Sequence, residues 1–477
     1  MLFNSISYGI FLPIVFILYW LLPNKYRWIL LFIASYYFYM SWNAKYVFLI
    51  FFTTFVSYLA AILIEKYNNK KKLILWITLI TCLGILFVYK YFNFFFETID
   101  SIFSLFSIKL NPITLNLVLP VGISFYTFQT LSYVIDVYRG DIEAEKHFGY
   151  YATFVSFFPQ LVAGPIERPD NLLPQLKKEK EFDYNKAIYG LKLMAVGFFK
   201  KIVVADNLAY YVDMVFNDLP YYTGFSLFMA AAFFTIQIYC DFSGYSDIAK
   251  GSAKLLNIDL MDNFKTPYFS TTIKEFWSKW HISLSSWFKD YIYIPLGGNR
   301  CSKIRHYFNL LVTFLVSGLW HGANITFVIW GGIHGALQII EDIFHIKRNN
   351  NNYSFIWFIR VILIFIVMTF TWVFFRAQNI SDAIYVFKNM FVGISHPYNY
   401  LVSGLYSFGV KPNYLLSMLS LYLVPLFIID LINVKQDCLL LINKCNKTTR
   451  YLVYFVVLLM ILLLHYVGEV SFIYFQF

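Results

Sequence analysis

Charge is what this chain has least of. Only 14% of its 477 residues are Asp, Glu, Lys or Arg, against about a quarter in soluble domains. A water-soluble fold of this length must show a polar surface, and the polar material for one is missing. Cysteine is scarce too: five residues, at 82, 240, 301, 438 and 445, without a CxxC pair or zinc-ligand spacing. That pattern supports neither a disulfide framework nor a cysteine metal site, and no metal is expected. Acidic residues number 27 against 38 basic ones, a net charge of +11. No internal repeat or low-complexity linker is visible. Their absence argues against the paired halves of an inverted-repeat transporter and for a single domain over 1–477.

What is present in quantity is apolar. Hydrophobic residues make up 59% of the chain and aromatics 22%, with a mean hydropathy of +0.59. Runs long enough to cross roughly 30 Å of hydrocarbon recur along the sequence. Examples are Ile10 to Leu22, Tyr46 to Ile64, Leu73 to Val88, Phe355 to Phe375 and Tyr451 to Leu464. The expected fold is all-α, a polytopic integral membrane protein of about 11 to 13 segments, some of them re-entrant or interfacial. The first apolar segment begins near Ser7 without a basic leader, and reads as a retained span. The lipid bilayer is then the first partner. The positive charge needs no nucleic acid: basic loops such as Lys66 to Lys72 remain cytoplasmic under the positive-inside rule.

Residues 141–345 still contain spans, but Pro, Gly, Trp and charge interrupt them repeatedly. Polar groups and broken helix at membrane depth are costly unless they are buried in protein or line a cavity. Gly164-Pro165-Ile166-Glu167-Arg168-Pro169 cannot continue as regular helix. It is either a re-entrant loop or an interfacial turn carrying a Glu–Arg pair. Asp241 and Asp247 directly follow an apolar run. They could bind a cation or act as acid and base, or else cap a helix and pair with Lys250 or Lys254.

Residues 273–300 hold the densest Trp and His pattern. At about 100° per residue, Trp277, Trp280, Leu284, Trp287 and Tyr291 fall on one stripe, with His281 at its edge. The spacing predicts an amphipathic helix at the interface, ended by Pro295 and Gly297-Gly298. His321 ends one apolar run and begins another, between Gly318 and Gly322. A histidine there is either tied to a neighbouring helix or functional. His334 would lie about 220° around a continuous helix from His321, facing apart unless the glycines break it. That argues against a two-histidine metal site.

The string from Trp280-His281 to Pro295-Leu-Gly-Gly-Asn-Arg300, followed by Ser317-Gly-Leu-Trp-His321-Gly322, closely resembles the membrane-bound O-acyltransferase family. The likeness is greatest to its bacterial alginate O-acetylation branch. Supporting matches are 122–129, Gly164 to Arg168, Asp241 to Asp247, Thr371 to Arg376 and the terminal 472–477. The resemblance implies that helices enclose a central funnel or tunnel, with a catalytic core of about 120–345. It also implies His321 as the catalytic residue and His281 as a second catalytic position. A neutral imidazole at His321 would take the proton of an attacking hydroxyl, with His281 orienting.

The donor implied is a cytoplasmic acyl thioester, acetyl-CoA or an acyl carrier, with no permanently bound cofactor. Lys279, Lys289, Arg300 and Arg305 would attract donor phosphates, or else serve membrane topology. Trp280, Trp320, Gly322 and Asn324 would line the tunnel. The implied partner is an extracytoplasmic polysaccharide acetyltransferase, and the implied location is the bacterial cytoplasmic membrane. D-alanyl transfer to teichoic acid remains as an alternative acylation. A polysaccharide or lipid-linked sugar transporter is the non-enzymatic one.

Overall fold

The computed structural model describes residues 1–109, 113–162, 164–349, 351–468, 470 and 472–475. Of the terminal motif, Gln476 and Phe477 lie outside the described residues. Among those described, every regular element is helical. Six helical stretches among the described residues are long and apolar enough to cross a membrane: Ala44–Lys66, Asn68–Ser104, Phe225–Leu255, Phe355–Arg376, Pro412–Asn433 and Lys447–Leu464. This is a polytopic membrane protein.

The other expected segments appear as shorter or more polar helices. Ile6–Leu21 has only 16 residues. Lys303–His321 and Ile325–Ile343 have 19 each but carry histidine, glycine and charge. Helix boundaries follow local chemistry. Ser5, Ser302 and Asn324 each accept a hydrogen bond from a first-turn N–H that has no partner within its own helix.

The chain forms two compact units. The first comprises 1–194 and 248–261, the second 195–247 and 262–477. In the first unit, small hydroxyls and tyrosines join apolar helices: Tyr8 meets Ser252 at 2.6 Å and Ser57 meets Tyr151 at 2.7 Å. The segment after Gly164 runs into a helix that begins at Pro169, a position where the missing N–H costs nothing. Glu167 is fully buried there. Its carboxylate accepts from the Met261 N–H at 2.6 Å and from Asn171 Nδ2 at 2.7 Å. The Glu–Arg turn of the sequence reading is therefore a carboxylate tying the loop to a distant backbone.

The second unit holds His281, His321 and His334 and the four basic donor candidates, Lys279, Lys289, Arg300 and Arg305. Its interior span, Phe225–Leu255 up to Asp247, is mostly enclosed by protein, whereas Lys447–Leu464 has no buried residue. Asp241 and Asp247 are mid-helix residues, and neither caps it. They pair with Lys201 and Lys200, replacing the expected partners Lys250 and Lys254. A π-helical turn at Phe199–Ala205 turns both lysines inward.

Candidate active site

Residues 273–300 do not form one helix. Ile273–Lys279 ends at Trp280, and Ile282–Phe288 begins after His281, whose φ of 43° is left-handed. Such a conformation is uncommon outside glycine and tends to mark functional positions. The break is held from outside: Ile282 N–H donates to the Asn263 carbonyl at 2.9 Å, and Lys265 N–H to the Lys279 carbonyl at 3.0 Å. His281 is 1% exposed, a core position and not an interfacial one. Its Nδ1 lies 2.9 Å from Asn263 Oδ1, which also accepts from Ser283 Oγ at 3.0 Å. An amide oxygen only accepts, so Nδ1 carries the hydrogen and Nε2 the lone pair. Burial keeps the ring neutral, pushing its pKa down to about 3.

His321 is the last residue of Lys303–His321, and Gly322 is extended beyond it. The chain reverses and Ile325–Ile343 packs back along the preceding helix, close enough that a Cβ on Gly318 would sit 2.2 Å from the Phe327 carbonyl oxygen. A Cβ on Gly331 would meet the Phe314 oxygen at the same distance. These glycines serve helix-on-helix approach, and Gly322 makes room for the Phe327 ring. The helix break also settles His334: it lies on the second helix and shares the Trp330 ring with His321, at 4.9 and 5.2 Å. Its Nδ1 accepts from Trp277 Nε1 at 3.3 Å.

The two candidate catalytic histidines converge. Their ring centres are 6.4 Å apart. Tyr474, from the C-terminal segment, places its hydroxyl 3.3 Å from His321 Nδ1 and its ring 6.3 Å from that of His281. Trp320 adjoins both imidazoles, at 5.0 and 6.0 Å. Trp280 packs in an aromatic wall with Trp372 and Phe276. Asn324 caps its helix and donates to the Gln378 carbonyl, a structural use of its side chain.

Of the four basic candidates, Lys289 and Arg300 line one cavity of about 970 Å³, together with Lys274 and Lys347. A second cavity of about 310 Å³ shares Lys289, Tyr293, Leu310 and Gln338 with it and reaches Ser317, one turn before His321. Lys279 is turned elsewhere: its Nζ is 2.8 Å from Glu275, whose carboxylate also meets Arg348. Burial opposes ionisation of Glu275, but Lys279 and the Thr271 N–H and hydroxyl leave its pKa below the ordinary carboxylate range. Arg305 packs over Phe308 and reaches the Leu296 carbonyl, off the cavity lining.

Tyr474 entered the sequence reading only inside the terminal 472–477 match, with no role assigned, and Asn263 and Lys201 escaped it. Lys200-Lys201 inside an otherwise apolar run was the available signal for the last. The other two act through contacts between distant segments.

A buried histidine pair beside a tyrosine offers a proton acceptor for an attacking hydroxyl, the chemistry that acyl transfer uses. Residues 145–377, which hold both histidines, match the membrane-bound O-acyltransferase family, and the chain belongs to that family. It is 40% identical over 398 residues to the probable alginate O-acetylase AlgI of Pseudomonas syringae, covering 82% of this chain and 75% of that protein. The peptidoglycan O-acetyltransferase of Helicobacter pylori is 35% identical over 420 residues, 81% and 78% of the two chains. The teichoic acid D-alanyltransferase of Bacillus subtilis is more distant, 27% over 262 residues, 50% and 63%. The protein is a membrane acyltransferase.

Proposed function

We propose that the protein moves an acetyl group, destined for an extracytoplasmic polysaccharide, from a cytoplasmic thioester to an acceptor hydroxyl, working in the bacterial cytoplasmic membrane as one catalytic domain. The observation that carries this reading is the convergence of His321, His281 and Tyr474, with Ile282 and Ser317, close in sequence to the two histidines, on the lining of the second cavity.

The donor is acetyl-CoA, its phosphates drawn to Lys289 and Arg300 on the lining of the first cavity and its thioester reaching toward Ser317 on the lining of the second. We assign the hydrogen of this contact to His321 Nδ1, donating to the Tyr474 oxygen, which makes Nε2 the basic nitrogen. It takes the acceptor's hydroxyl proton as the oxygen attacks the thioester carbonyl. The tetrahedral adduct then expels the thiolate, which recovers that proton from the imidazolium. One C–O bond forms, one C–S bond breaks, and no net proton is released. His281, holding its hydrogen toward Asn263, orients the acceptor by accepting a hydrogen bond at Nε2. The immediate acceptor is an extracytoplasmic polysaccharide acetyltransferase partner. Similarity to the B. subtilis D-alanyltransferase supports D-alanine as the second acyl candidate.

The test is thiol release by the purified protein in detergent, from acetyl-CoA, an acetylated carrier protein and a D-alanylated carrier protein in turn. The partner and polymer are supplied throughout. Wild type should consume acetyl-CoA and His321→Ala should be slower by about 10²–10⁴-fold. Equal rates for the two proteins would refute His321 as the base. Preference for either carrier would replace the donor.

A further inference from the structure

The motif Asp241 to Asp247 has no part in the chemistry above, yet Asp241 is only 2% exposed. One face of its helix meets the C-terminal segment. Phe472 lies 4.3 Å from the Tyr245 ring, and Tyr474 lies 4.5 Å from the Phe242 ring. Between these two aromatic contacts, Asp241 Oδ2 accepts the Ile473 backbone N–H at 2.7 Å. Its other oxygen is 2.6 Å from Lys201 Nζ, which is 2.7 Å from Asp206 and fully buried.

We propose that Asp241 is a positioning residue of the acyl-transfer centre: backed by Lys201, it clamps the backbone at Ile473 so that the next residue, Tyr474, meets His321 Nδ1. The inference rests on the reading of His321 as the base. A buried ion pair is a poor way to gain stability, since an apolar replacement of similar volume is often neutral or better. It is a good way to fix one backbone atom. A charge-assisted hydrogen bond is short and directional, and the carboxylate cannot rotate away while Lys201 holds its other oxygen. Apolar packing of Phe472 alone would leave the segment free to slide. Sliding by about 1 Å misplaces a catalytic group enough to cost on the order of 10²-fold in rate.

The decisive variant is Ile473→Pro. Ile473 is the first residue of a short 3-10 turn, where proline's geometry is accepted. The substitution removes the N–H and leaves the Lys201–Asp241 pair untouched. Ile473→Ala trims the same side chain and keeps the N–H. The proposal expects kcat of Ile473→Pro to fall at least tenfold below that of Ile473→Ala, with KM for the thioester unchanged. It further expects Tyr474→Phe to fall similarly, and Ile473→Pro/Tyr474→Phe to be no slower than the worse single variant, because both act through one contact. Asp241→Asn, which keeps an acceptor for Ile473, should be faster than Asp241→Ala. Equal kcat for the Pro and Ala variants, or multiplicative losses in the double variant, would overturn the clamp. A fully active His321→Ala would instead overturn the base assignment on which the clamp depends.

Discussion

His281 and His321 come within 6.4 Å of each other, ring centre to ring centre, although one sits in a left-handed connection between short helices and the other ends a long helix. Neither helix periodicity nor chain distance brings them together. The Asn263 segment bends the first into place, and the glycine-lined hairpin ends the second.

Because His281 sits at φ 43°, glycine can occupy the position without strain. His281→Gly therefore separates the imidazole from the backbone. The detergent-solubilised variant should melt within a few degrees of wild type while kcat drops about 10-fold or more. A variant as active as wild type would remove His281 from the chemistry.

Asn263 Oδ1 gathers His281 Nδ1 and Ser283 Oγ. Asn263→Asp keeps the acceptor but adds a buried charge that favours the imidazolium, which cannot accept at Nε2. The expected result is a lower kcat at neutral pH with the pH–rate profile displaced upward, measured by thiol release. An unmoved profile would count against His281 as an acceptor.

Lys289 and Arg300 share a cavity that Lys279 and Arg305 do not line. Lys289→Ala/Arg300→Ala should raise KM for acetyl-CoA about tenfold, leave kcat nearly intact, and weaken the salt dependence of KM. Lys279→Ala should change KM little. The reverse ranking would move the phosphate site.

Gly318→Ala and Gly331→Ala each place a Cβ 2.2 Å from a backbone oxygen of the opposite helix. Backbone cannot yield as a side chain end can. The hairpin must open, at a cost of about 1–3 kcal/mol, displacing His321. Both lower melting temperature and lower activity are expected. Gly332→Ala, 3.4 Å from a Leu315 methyl, should be tolerated.

Glu167 gives a stability test away from the candidate site. Burial raises its pKa to about 7, against the pull of the Met261 N–H and Asn171. A carboxyl raised on folding is most stabilising, relative to the unfolded chain, when protonated. That contribution is complete below about pH 4 and is lost as pH rises through about 7, a change on the order of 3 kcal/mol. Melting temperature should fall from pH 5 to pH 8, and Glu167→Gln should flatten the trend. An identical slope in the variant would assign the pH dependence to other groups.

The sequence by itself determined what depends on neighbouring residues. Apolar runs such as Phe355–Arg376 and Pro412–Asn433 are helices at membrane depth because in hydrocarbon the backbone must satisfy its own hydrogen bonds. Contiguous strings such as Trp320-His321-Gly322 identify the family. Tertiary structure decided whatever joins distant segments. The continuous amphipathic helix read over 273–300 is broken at Trp280-His281 by the backbone of 263–265. Lys279 turns to Glu275, Asp241 finds Lys201, and Tyr474 meets His321 from the far end of the chain. Periodicity reports which face of a helix is apolar. Which charge a buried lysine meets, or which hydroxyl reaches an imidazole, is decided only when packing excludes water and each buried polar group takes the partner within reach.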